Sequence, residues 1–206
     1  MPSRILPFDT ETTDSNAATC GLLTISGAIV IDKVIQEFFD FRMRPHEGCS
    51  MNDKAFEVTG INKDECLTWP DPLEVLNDHL VPMLGKYVSK FKKDQFFIPM
   101  GYNSGFDKDV LWNWFHRLTG YGSGAYVKTY DLDIFAPVKY LWAAEVIPQD
   151  IENLQLGTVC KHYGIPIEAH NSLSDIVASI TLNNTVNKSL KIEGLDCTKI
   201  RRNYEL

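Results

Sequence analysis

The chain has 206 residues, 44% of them hydrophobic, which is enough for one sizeable core and falls in the usual range of a single domain. Its net charge of −7 and pI near 5.2 exclude a global basic field able to hold long nucleic acid non-specifically, so any such contact is local and short. The five cysteines, Cys20, Cys49, Cys66, Cys160 and Cys197, are odd in number and contain no CxxC pair, which argues against a disulfide framework or zinc knuckle and fits a reducing cytoplasm.

In chain order, Ile5 to Phe8 is a short apolar strand, reached without a charged and then apolar leader. No stretch approaches the ~18 apolar residues of a membrane span, so neither export nor membrane insertion is expected. Cys20 to Ile31 and Val34 to Arg44 are rich in β-branched or alternating apolar residues and complete a three-stranded antiparallel meander. Pro7 withholds a ladder hydrogen bond, which places it where the strand pairs on one side only or at an irregular step. Asp53 to Thr59 reads as a short helix ended by Gly60. Leu73, Leu76, Leu80, Leu84 and Val88 are spaced as one face of an amphipathic helix.

Phe96 to Met100, bounded by Gly101, is a buried strand, and a helix from about Phe106 to Leu118 follows it. Further helices are expected over Asp131 to Trp142, Leu154 to Tyr163 and Ser172 to Leu190. Strands first, then helices around one later strand, give an α/β fold with a mixed sheet flanked by helices. The expected organisation is one domain over residues 1–187 and a polar C-terminal tail over 188–206.

Three acidic elements carry the chemistry. A strand has period two, so Asp9 and Glu11 share a face, and two like charges held that close favour a hard cation between them. Solvated acids of a polar turn are the alternative. Asp107 lies where the later strand turns into a helix, although Ser104-x-x-Asp107 is equally the spacing of a capping box. His170 precedes the last helix and Asp175 lies in its first turns, where the helix dipole favours an ionised acid; Ser172-x-x-Asp175 is again a capping spacing.

Asp9, Glu11, Asp107 and Asp175, with His170 five residues before the last acid, stand in the order and spacing of the DEDDh exonucleases, which the chain resembles from Ile5 to about Leu182. Supporting matches are Asn103-x-x-Phe106-Asp107, Ala55-x-x-Val58-Thr59-Gly60-Ile61, and Leu154-x-Leu156-x-x-x-Cys160-x-x-Tyr163-Gly164-Ile165 leading into His170. The similarity is of the type seen in the epsilon proofreading subunit of DNA polymerase III and in RNase T. The sister group that uses tyrosine carries it four residues before the last acid, where this chain has Asn171. Two positions depart from the pattern: Asp14 stands where relatives often have glycine, and Thr59 where many have histidine.

The resemblance implies an RNase H-like, five-stranded mixed sheet and 3′→5′ removal of nucleotides from single-stranded nucleic acid, DNA favoured, as nucleoside 5′-monophosphates. It implies two divalent cations, Mg²⁺ or Mn²⁺, held by Asp9, Glu11, Asp107 and Asp175, with His170 as general base. Thr10, Thr12, Asn103 and Phe106 would meet the substrate. The partner is a 3′ end, and a DNA polymerase or a second copy of the chain are further partners the family allows. Two alternatives remain, an exoribonuclease of the same family and a non-catalytic module of the same fold. Lys86, Lys90, Lys92 and Lys93 could guide a backbone or form a solvated face; Trp112, Trp114 and Phe115 could stack bases or fill the core.

Overall fold

The computed structural model describes residues 3–90, 92, 94–168 and 172–190. Its sheet has the order β3-β2-β1-β4-β5. Strand β1 (Arg4–Thr12) pairs antiparallel with β2 (Leu22–Ile31), and β2 pairs antiparallel with β3 (Val34–Arg42). The β2–β3 turn, Asp32-Lys33, is left-handed at both residues (φ 49° and 67°), the geometry whose twist matches a two-residue hairpin. On its other side β1 runs parallel to β4 (Ile98–Gly101), which runs parallel to β5 (Leu132–Asp133). The expected meander and mixed five-stranded sheet are therefore present.

Pro7 lies where its missing amide does least harm. The β1–β2 ladder is interrupted at Leu6 and Pro7 and resumes in unchanged register at Phe8, while Pro7 keeps its place opposite Met100 of β4. Gly27 belongs to the same crossing. A Cβ there would sit 2.5 Å from the Pro7 carbonyl oxygen and 2.5 Å from the Phe39 ring, so no larger residue fits.

Helices cover both faces of the sheet. Alternation along β1 sends Leu6 and Phe8 into one core, with Leu76, Leu80, Leu84, Val110 and Trp114. Ile5 faces the other, built on Ala28, Val30, Met100, Val159 and Ile176. The first face carries α3 (Pro72–Glu74) and α4 (Val81–Gly85), joined by a wide π turn over Val75–Leu80, together with α5 (Gly105–Thr119). The π turn ends just before Pro82, which has no amide to close an ordinary turn. Residues of α6 (Phe135–Ala143), α7 (Leu156–His162) and α8 (Ser172–Ser189) line the second face. The short helices α1 (Asp53–Thr59) and α2 (Lys63–Cys66) close a small third cluster of Leu23, Phe56 and Cys66.

One expected helix is corrected. Asp131 to Ile134 are not helical: Leu132 and Asp133 form the fifth strand, and α6 starts at Phe135. The reason is local: the Asp133 carboxylate accepts from the Phe135 amide at 3.0 Å just ahead of the helix, which starts four residues later than the sequence pattern indicates. Helix α7 also starts at Leu156 rather than Leu154. Trp114 and Phe115 are core, whereas Trp112 covers Gly122. Lys86 pairs with Glu37 of β3 at 3.2 Å; Lys93 and residues 191–206 of the expected tail lie outside the described residues. Among the described residues no helix is long and apolar enough to cross a membrane.

Candidate active site

The C-terminal ends of the parallel strands β1 and β4 form one edge of the sheet, the side on which open α/β sheets bind ligands. Asp9 and Glu11 share the alternation of Ile5, so they emerge on the face where α8 packs against β1 and β2. Directly after Glu11 the β1–β2 register shifts, an irregularity of the kind that ends pairing and re-aims side chains beside functional sites. Asp107 comes from the first turn of α5 and Asp175 from the first turns of α8.

The charges of Asp107, Glu11 and Asp175 all act on Asp9. Asp9 is pushed well above the usual carboxylate range, first by burial and then by the charges of Asp107, Glu11 and Asp175. Glu11 rises to about 7 through burial, Asp175 and Asp107. Asp107, 7% exposed, rises to about 6 through burial, against the opposing pull of its hydrogen bonds from Thr10. The Cys160 thiol of α7 is driven up to about 12 by burial and by Asp175, which places that acid against the α7 side of the site. Like charges held this close at a partly buried sheet edge resist ionising together, and an added cation reverses that resistance.

This all-oxygen donor set suits a hard divalent ion. Among the described residues no three ligating side chains are already drawn into one coordination cluster, so the carboxylates couple through space without closing on a shared point. His170, with Asn171, lies outside the described residues.

Asp107 is not a helix cap. Its Oδ1 accepts from both the Thr10 amide (3.0 Å) and the Thr10 hydroxyl (2.6 Å). Ser104 has turned away from the helix and donates to Asp131 Oδ2 at 2.5 Å. Of the residues expected to meet substrate, Thr10 and Thr12 are buried and committed internally, Thr12 donating to the Asp14 carbonyl at 2.8 Å. Asn103 is exposed at the β4–α5 turn in left-handed conformation (φ 61°), and Phe106 is half-buried against the first core.

Asp14 has found partners of its own. Its carboxylate accepts from Ser50 Oγ (2.5 Å), the Ser15 amide (2.7 Å) and Asn52 Nδ2 (3.4 Å), which holds it below the usual range. The Asp14 carboxylate therefore ties the end of β1 to the loop before α1.

Sequence reasoning missed the supports of the β4–α5 turn. Asp133 Oδ1 accepts from the Asn103 amide at 2.8 Å, Asp131 pairs with Lys108 at 3.3 Å, and the Tyr102 hydroxyl donates to the Leu154 carbonyl. The period-two spacing of Asp131 and Asp133 was the available signal, hidden by reading that segment as helix.

An exonuclease family model, of the RNase T type, matches residues 6–108. Among solved structures, one of exonuclease I is 19% identical over 90% of this chain and 41% of its own, with a TM-score of 0.72. Exonuclease I of E. coli in complex with a dT13 oligonucleotide is 20% identical over 92% of this chain and 42% of its own, TM-score 0.70. A moderately thermophilic exonuclease I from Methylocaldum szegediense is 17% identical over 90% and 40%, TM-score 0.69. These likenesses establish the fold, and the chain spans about two fifths of the length of those proteins. No curated protein matches the sequence.

Proposed function

The chain belongs to the exonuclease family whose model spans its first half, and on that premise we propose that it is a metal-dependent 3′→5′ exonuclease acting on single strands, DNA in preference to RNA. The observation that carries this reading is the crowding of acids at the end of β1: Asp9 and Glu11 are raised by burial and by the charges of Asp107 and Asp175, and Asp107 is raised by burial. Buried acids crowded in this way are poised to accept cations, and a pair of bound cations would suit phosphoryl hydrolysis.

Asp9, Glu11 and Asp175 would hold one divalent ion, Mg²⁺ or Mn²⁺, and Asp9 with Asp107 a second. When bound, the pair supplies charge stabilisation for the attacking and leaving oxygens of an in-line displacement. His170 would take the proton from the attacking water, whose oxygen bonds to phosphorus as the bond to the 3′ oxygen breaks, and a solvent water would protonate that leaving oxygen. The product is a nucleoside 5′-monophosphate. Thr10 keeps Asp107 in place, and Asn103 and Phe106 offer a polar and an aromatic surface at the same edge. The oligonucleotide held by E. coli exonuclease I supports a single-stranded substrate. A reducing cytoplasm fits the four free cysteines among the described residues. A polymerase partner and a homodimer are proposals that co-purification and gel filtration would test.

Incubation with 5′-labelled single-stranded DNA and RNA in Mg²⁺ tests the function. A ladder shortening from the 3′ end, faster on DNA, is expected. Early release of the 5′ label, or cleavage of a circular strand, would refute it.

A further inference from the structure

The β5 edge carries a feature the hydrolytic site does not use. The Phe97 amide donates to the Tyr126 carbonyl (2.7 Å), the Phe97 carbonyl accepts from the Lys128 amide (2.9 Å), and the Gly101 carbonyl accepts from the Ile134 amide (2.9 Å). The residue between them on that side of β4 is Pro99, which has no amide to give. The facing chain accordingly leaves the ladder: Lys128, Thr129, Tyr130 and Asp131 lie opposite Ile98 and Pro99 alone, between the pairs Phe97–Val127 and Met100–Leu132. The excursion puts Tyr130 (54% exposed) and Leu132 (44%) on the surface.

Cations lie against the aromatic faces along this edge. The Lys128 ammonium is 3.2 Å from the centre of the Phe96 ring and 5.9 Å from that of Tyr130, and Lys139 is 4.5 Å from the centre of Phe135. Among the described residues neither lysine has a carboxylate within ion-pair distance. The neighbouring acids are turned inward, Asp131 to Ser104 and Lys108, Asp133 to the amides of Asn103 and Phe135. In a chain of net charge −7, this edge therefore carries two lysines without a carboxylate partner beside the exposed Tyr130 ring. Since β5 runs parallel to β4 and β1, it leads from Lys128 and Tyr130 to Phe135, beside the turn that carries Asn103.

We propose that the β5 edge, through Lys128, Tyr130 and Lys139, is an auxiliary track for the part of a single-stranded nucleic acid that lies upstream of its 3′ end. Aromatic faces accept any base and lysines accept phosphates, so the track follows the strand without reading sequence. It rests on the exonuclease reading for the direction in which the strand enters.

The test separates binding from chemistry. The affinity of 5′-fluorescent DNA and RNA strands of about 20 nucleotides, longer than the ~4–16 that a single binding fold covers, is measured by anisotropy in EDTA across a range of salt. Tyr130→Ala should weaken binding at least about five-fold and Tyr130→Phe should restore it. A Lys128→Ala, Lys139→Ala double variant should lower the salt slope by about 0.7 for each lysine. Loss on both nucleic acids, or on one alone, supports the track and names what it carries. Turnover of a trinucleotide in Mg²⁺ should not change. Unchanged affinity and slope in variants with wild-type melting temperatures would overturn the track while leaving the exonuclease intact. Failure of the wild-type chain to shorten any strand would sink the exonuclease reading and leave the affinities standing.

Discussion

Thr10 gives both its amide and its hydroxyl to one oxygen of Asp107, across the junction between the central strand and the first turn of α5. The grip occupies Oδ1 and opposes the burial that would otherwise drive this acid's proton affinity higher. Thr10→Val keeps the branched shape and the amide but removes the hydroxyl. A hydrogen bond to a charged group is worth ~1.5–3 kcal/mol, so kcat/KM should fall on the order of ten-fold or more. The acid limb of the pH–rate profile should move to higher pH, and Thr10→Ser should restore both. An unmoved limb at full rate would refute the assignment.

Metal-free stability should run against the usual direction with pH. Glu11 rises from 4.5 to about 7 on folding, and Asp107 from 3.8 to about 6. Both are held protonated in the folded chain where the unfolded chain has lost the proton. Their contribution is present in full below the ordinary values and is lost as pH rises through about 6 to 7. In EDTA the melting temperature should therefore fall between about pH 5 and about pH 8, and Mg²⁺ should restore more of it at the upper end. Asp9→Asn should abolish hydrolysis yet melt no lower than wild type in EDTA, because it removes the charge the other three acids repel. Calorimetry across pH checks both, and a metal-free melting temperature that climbs with pH through this window would contradict the carboxylate cluster.

His170→Ala should slow turnover by ~10²–10⁴-fold, the usual worth of a general base. The acid limb belonging to the histidine should vanish, while calorimetric Mg²⁺ binding persists through the four carboxylates. A variant with more than half the wild-type rate would end the assignment of His170 as the base.

Gly27→Ala tests the strand crossing that carries Asp9. Its methyl would meet the Pro7 carbonyl oxygen and the Phe39 ring, each at 2.5 Å. Forcing extra carbon into a packed core costs ~1–3 kcal/mol, so denaturant unfolding should show a loss of that order. Equal stability would mean the strands part without penalty.

The acidic pattern was readable because its spacing is local: two residues on a strand place Asp9 and Glu11 together, and a strand–turn–helix places Asp107 at the sheet edge. What Asp107 and Ser104 actually bond to was not readable. A capping box and a buried carboxylate gripped by a strand have the same Ser-x-x-Asp spacing, and the partners that decide between them, Thr10 and Asp131, lie far along the chain. The fifth strand escaped for a related reason. Two residues carry no periodicity, and Leu132 and Asp133 are a strand only because Met100 and Gly101 stand beside them. Leu73 was placed on an apolar helical face by its spacing, yet the π turn that begins at Val75 breaks that spacing and Leu73 is exposed.

The parallel pairing of β1 with β4 and the packing of α8 across β1 and β2 also bear on the order in which the chain can assemble. The hairpins β1–β2 and β2–β3 close over short loops and can form early, whereas β4 must return over most of a hundred residues and α8 from farther still. Asp175 travels with α8 toward acids that already face it. The most distant docking event is thus the one its own charges oppose, and a chain caught before it holds a nearly complete sheet with no means of hydrolysis. During synthesis or refolding, divalent ions bound by these acids would favour that closing step, so the ions proposed for the chemistry would also favour completion of the fold.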